Sequence, residues 1–146
     1  MPRSGEPQGK IEISDVVQIA DDSGISPPSI IELGDPFKLW VEFSLLTPDL
    51  HLLEDFLSYE VRYWANAVDA PRPPYVIAPR KESTVFGRHV YSQAETEREI
   101  PAGSLPPGIY QIGAFVKFTL VSPVATERRF PLAADTEPRY LHIYEP

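Results

Sequence analysis

The chain has 146 residues, 17 of them proline and none cysteine, with a formal charge of −8 from 21 acidic and 13 basic side chains. The length suits one domain, and the acidic balance turns against a nucleic-acid partner. The lack of cysteine removes disulfides, thiol catalysis and thiolate metal sites together.

The opening "MPRSGEPQGK" is small and polar, which predicts a flexible arm over 1–9 ahead of one domain over 10–146. It has no apolar core of a signal peptide. No later run approaches the roughly 18 apolar residues of a membrane helix. A cytoplasmic location is therefore expected if Met1 is the native start, with no membrane partner.

In "KIEISDVVQIAD", Ile11 and Ile13 alternate with polar neighbours, and the phase shifts near Val16-Val17. This predicts a first strand with a bulge. "DDSGISPPS" is turn chemistry; its aspartates read as a hairpin turn before a calcium site, since calcium wants six or more oxygens. "DPFKLWVEFSL" is the clearest strand of the first half. Phe37, Leu39, Val41, Phe43 and Leu45 share one face, and Lys38, Trp40, Glu42 and Ser44 the other. One apolar and one wet face mark an antiparallel sheet or sandwich. "TPDLHLLEDF" reads as one short helical turn capped by Thr47.

"LSYEVRYWA" alternates again, Leu57, Tyr59, Val61 and Tyr63 against Ser58, Glu60, Arg62 and Trp64. "NAVDAPRPPYVIAP" reads as a proline-rich connection. "STVFGRHVYS" reads as a weaker strand, with Gly87 at a bulge or edge. In "ETEREI", Glu95, Glu97 and Glu99 would line one strand face with Arg98 opposite, a solvated face that blunts an edge. After the long strand through Leu120, "VSPVATERRFPLAADTEP" reads as a loop that folds over the sheet through Phe130 and Leu132. "RYLHIY" reads as the last strand. With about seven strands, turn signals between them and no repeat, the pattern is an all-β, two-sheet antiparallel, immunoglobulin-like Greek-key sandwich with long proline-rich loops.

"LPPGIYQIGAFVKF" carries the most information. Pro106, Pro107 and Gly108 force a rigid turn. From Tyr110 the apolar set is Tyr110, Ile112, Ala114, Val116, Phe118 and Leu120. Leu105, Gly108 and Tyr110 resemble the tyrosine corner of Greek-key sandwiches, and that resemblance implies a tyrosine hydroxyl bonded back to upstream backbone. The first strand, "GDPFKLWVEF" and "EIPAGSLPPGIYQIGAF" together resemble the C-terminal sandwich domain of O-antigen polysaccharide transporter ATPases. That family's domain recognises the polysaccharide, and the resemblance transfers no binding residue.

His51, His89 and His142 lie far apart without metal-ligand spacing, so no metal or cofactor is expected. No GxSxG, Walker loop or GxGxxG occurs. Basic pairs are scattered, Arg80-Lys81 and Arg128-Arg129. The aromatic outliers carry the functional reading. Trp40, Trp64 and Phe115 sit on the polar side of their strands. In the expected topology Trp64 and Phe115 share an outer face with Tyr140, His142 and Tyr144. Such a face suits a non-catalytic recognition or assembly module that binds a protein partner or itself. The alternative is a carbohydrate-binding module with rings stacked on sugar. A glycan-acting hydrolase comes third, because nothing singles out two carboxylates from the 21 acidic residues.

Overall fold

The computed structural model describes residues 11–21, 29–46, 54, 56–122 and 125–146, with backbone alone at 76, 121–122 and 125–131. In chain order the strands are β1 (Ile11–Ile13), β2 (Gln18–Asp21), β3 (Ile30–Glu32), β4 (Phe37–Trp40), β5 (Phe43–Leu45) and β6 (Leu57–Ala67). Then come β7 (Tyr75–Val76), β8 (Arg80–Ser83), β9 (Val90–Tyr91), helix α1 (Gln93–Thr96), β10 (Arg98–Ile100), β11 (Gly108–Ser122), β12 (Ala125–Asp135) and β13 (Arg139–Tyr144). The fold is an all-β sandwich of two layers. The expected arm over 1–9, the turn in "DDSGISPPS" and the helical turn at Thr47 lie outside the described residues.

The first layer is a three-strand ladder interrupted at its middle. β5 pairs with β1 and β9, and β4 with β2 and β10. Between the two halves, side chains replace the ladder bonds. The Thr96 hydroxyl accepts the Val41 N–H at 3.2 Å and donates to the Val41 carbonyl at 2.7 Å. Ser14 N–H donates to the Glu42 carbonyl at 2.8 Å, and Ser14 Oγ accepts Glu42 N–H at 3.3 Å. Buried backbone groups need such partners wherever a ladder stops.

The second layer is built on β11, which pairs with β6 over its length from Tyr110 to Leu120. Its other edge carries β13 against Gly108–Ile112 and β12 against Phe115–Ser122. β3 adds to β13 in parallel, the one parallel pairing among the described strands. β7 and β8 extend β6. β12 also touches β1, so this layer curls into a half-barrel.

The core lies between the layers. Phe37, Leu39, Val41, Phe43 and Leu45 are all buried, and they meet the alternate residues of β6 and β11. Phe43 stacks on Tyr91 with ring centres 5.0 Å apart, and meets Tyr59 and Phe118 edge-on at 5.1 and 5.7 Å. Such aromatic pairs add to simple burial. Tyr59 and Tyr63 point into this core and donate to the Glu95 and Thr96 carbonyls at 2.7 and 2.6 Å. Burial pushes both phenols up, so they remain protonated donors to the end of α1.

Three local expectations are corrected. "STVFGRHVYS" is not one strand: β8 stops at Ser83, and Gly87 takes φ 88°, which only glycine adopts freely, in the turn before β9. Glu95, Glu97 and Glu99 do not line a strand face, because Glu95 belongs to α1. There its carboxylate accepts the Ser92 N–H at 2.9 Å, a capping arrangement. Finally, 125–135 is a strand at the edge of the second layer, not a loop folded over it.

Candidate functional site

The site begins at the corner that starts β11. Tyr110 is buried, and its hydroxyl donates to the Pro106 carbonyl at 2.6 Å. Arg72, from the proline-rich connection, donates to that hydroxyl at 3.1 Å and to the Pro107 carbonyl at 3.2 Å. Leu105 is buried beneath the turn. Gly108 has φ 155°, and a Cβ there would sit 3.0 Å from the Asp69 carboxylate. The corner thus locks the height at which β11 enters the sheet, and with it the register of β13 and β6.

That register assembles the outer face. Ile109 lies opposite His142, Gln111 opposite both Tyr140 and Asn66, Gly113 opposite Trp64, and Phe115 opposite Arg62. Trp64 is half-buried because it lies on Gly113; a Cβ at that position would collide with the indole ring. Phe115 and Tyr144 are also half-buried, while His142 is exposed and Tyr140 is 61% exposed. The His142 and Tyr144 rings are 6.3 Å apart. All five aromatic candidates therefore share one sheet face, Trp40 lying on the other layer. Two aliphatic members were missed in the sequence: Ile30 on β3, which faces His142, and Ile109. They are 36% and 41% exposed. Period-two reading from Ile109 would have found one; Ile30 depends on the parallel pairing of β3.

Below the rings the face is charged. Glu60 is nearly buried and bonds Arg62, with Lys81 and Lys117 each 3.4 Å away. Burial by itself would push its pKa up, but the bonds from Arg62 and Lys117 outweigh that and hold the carboxyl below its usual range.

Two polar features lie elsewhere. An open cleft of about 240 Å³ is lined by Tyr59, Arg80, Glu82, Arg88 and Glu95 among others. Its carboxylates lie beside arginines: Arg80 is 3.2 Å from Glu82, and Arg88 is 3.9 Å from Glu95. Glu54 is fully buried and bonds His89 Nδ1 at 2.6 Å and Gly87 N–H at 3.0 Å, which pins the β8–β9 turn. Among the described residues no group of three His, Asp or Glu side chains could hold a metal ion, and no helix is long and apolar enough to cross a membrane.

No protein-family model matches the chain, and no curated protein matches it. Among solved structures the chain is similar to a β-glucosidase from Listeria innocua, determined in complex with glucose, at 11% identity and a TM-score of 0.52. The likeness covers 92% of this chain and 16% of the glucosidase, so the chain spans a small part of that protein's length. At this identity the likeness concerns the fold.

Proposed function

We propose that the protein is a non-catalytic recognition module that binds a protein partner through the outer face of β13, β11 and β6. One observation carries the reading. Ile30, Ile109 and Tyr140 stand exposed on three neighbouring strands at 36%, 41% and 61%. Apolar side chains grouped this way on a regular sheet mark an interaction surface. The β12 segment runs beside β11 rather than over it, so no described segment covers the patch. A photo-reactive residue at position 140 tests the reading. The expected result is a defined protein adduct, absent when the same residue replaces Lys38 on the other layer. Equal labelling from both positions overturns it.

The second reading is carbohydrate binding. Its support is the pair of amides, Gln111 and Asn66, set between Tyr140 and Trp64, with Gln111 Nε2 3.5 Å from the Tyr140 hydroxyl. Rings flanked by amides suit sugar faces and hydroxyls, and the resemblance to polysaccharide-recognising sandwich domains points the same way. Binding on a glycan array that disappears in Trp64→Ala would favour this reading over the first.

A further inference from the structure

We propose that the open cleft is a second binding site, separate from the outer face, and that it takes one neutral sugar ring, free or at a chain end. The cleft lies where β6 and β8 of the second layer meet β9 and α1 of the first. Its unspent hydrogen-bonding capacity is the first argument. Tyr59 and Tyr91 are 3% and 1% exposed, and their rings pack in the core around Phe43. They therefore reach the cleft by their hydroxyl ends. The Tyr91 hydroxyl accepts the Val85 N–H at 2.9 Å, and its own proton has no acceptor among the described residues. The Tyr59 hydroxyl donates to the Glu95 carbonyl at 2.7 Å, and its oxygen receives no donor among them. Buried polar groups are normally paired, so a half-used hydroxyl at a cleft calls for a partner. Tyr91 needs an acceptor and Tyr59 a donor. An alcohol is both.

Charge narrows the class of ligand. In the lining, Arg80 and Arg88 stand against Glu82 and Glu95, so the cleft is neutral in a chain of net charge −8. Arg80 is spent on structure: it donates to the Glu97 and Ala94 carbonyls at 3.1 and 3.0 Å and to Glu82 at 3.2 Å. Arg88 is half-exposed and 3.9 Å from Glu95, so it keeps donors for a ligand. An anion would face two carboxylates and give nothing to Tyr59. A cation would face two guanidinium groups and take nothing from Tyr91. A neutral ligand with several hydroxyls answers both. Size and shape agree with a sugar ring. The volume of about 240 Å³ is several times the roughly 30 Å³ share of one water. Val85, 51% exposed, offers an apolar wall to the C–H face of such a ring. That wall is fixed in place. The Val85 carbonyl accepts the Arg88 N–H at 3.0 Å across the turn, and buried Glu54 holds the Gly87 N–H at 3.0 Å. A preformed site loses little freedom on binding, but one open cleft of this size should bind only at millimolar dissociation constants.

Amide shifts of the full chain, titrated with the methyl glycosides of glucose, galactose and mannose up to about 100 mM, test the proposal. At least one glycoside should give saturable shifts at Ser83, Val85 and Glu95. Tyr91→Phe removes the unspent proton and should raise the dissociation constant about fivefold or more. Arg88→Ala, at an exposed position, should do the same with an unchanged melt, and it keeps the test open if Tyr91→Phe fails to fold. Trp64→Ala should leave the dissociation constant unchanged, which separates this site from the outer face. Equal affinity for a free sugar and its methyl glycoside supports a chain-end residue, and binding of the free sugar alone supports a monosaccharide. Shifts that stay linear for all three sugars in both forms overturn the site. Saturable shifts with sodium sulfate and none with the sugars overturn the neutral class. Sugar binding that is lost in Trp64→Ala and survives Arg88→Ala belongs to the outer face and overturns the cleft.

Discussion

The two layers solve the same problem differently. The β6–β11–β13 layer runs in unbroken register across its centre, with every second residue on each strand facing the core. The layer built on β4 and β5 is cut at Val41–Glu42, where Thr96 and Ser14 supply bonds that a neighbouring strand would otherwise supply. The difference teaches where a binding surface can form. An unbroken ladder holds its outward side chains in a fixed grid, so Trp64, Tyr140 and Ile109 keep constant spacing. In the other layer the two halves are joined at the break by the bonds of Thr96 and Ser14 to Val41 and Glu42.

Substitutions in the two layers should therefore fail in different ways. The largest effect is expected at Val116, which is fully buried at the centre of β11. Val116→Asp places an unpaired charge between the layers, costs several kcal/mol and should unfold the domain. Lys117→Asp, on the outward side one residue later, should leave a folded protein by circular dichroism. Equal tolerance of the two changes would break the claim that the register is unbroken.

Next comes Thr96→Val, which keeps the shape and removes both bonds to Val41. Stranding those buried backbone groups should cost about 1–3 kcal/mol. Hydrogen exchange should quicken at Val41 and in β4–β5 while β11 stays protected. Uniform loss of protection across both layers would mean that they do not behave as separate units.

Tyr110→Phe should cost about 1 kcal/mol by removing the bond to the Pro106 carbonyl. A denaturant melt with unchanged slope checks it. Arg72 then loses one acceptor but keeps the Pro107 carbonyl, so the register of β11 should survive.

The smallest effect concerns pH. Glu60 is held below the usual carboxylate range in the folded state. Its stabilising contribution is complete above the unfolded value of about 4.3 and fades as pH falls through the lower folded value. Wild type and Glu60→Gln should differ in melting temperature above about pH 4.3 and converge in stronger acid. Its cations are largely exposed, which keeps the effect modest. A difference that grows on acidification would reverse the assigned direction.

Much of the second layer is legible from the chain alone. Period-two alternation around Tyr63 and Val116 identifies the inner faces, and Pro106, Pro107 and Gly108 announce the turn that starts β11. Other features were written locally yet outweighed by a longer pattern. Ser92 and Glu95 form a capping pair in "SQAE", but the alternating glutamates that follow read as a strand. The stretch 125–135 is rich in charge and carries a proline, so it reads as loop; β11 nonetheless runs far enough past β13 to pair with it, and the open edge makes a strand of it.

Determined by sequence alone were which residues face inward and where the chain must turn, because alternation and turn chemistry act between residues a few positions apart. Only the tertiary structure decided which strands are neighbours. That choice laid Trp64 on Gly113, brought Arg72 to Tyr110, surrounded Glu60 with three cations and set Ile30 beside His142. Apart from Glu60–Arg62, two positions apart on one strand, these contacts join residues distant in the chain. Each depends on pairing energies summed over whole strands, which no short window of sequence contains.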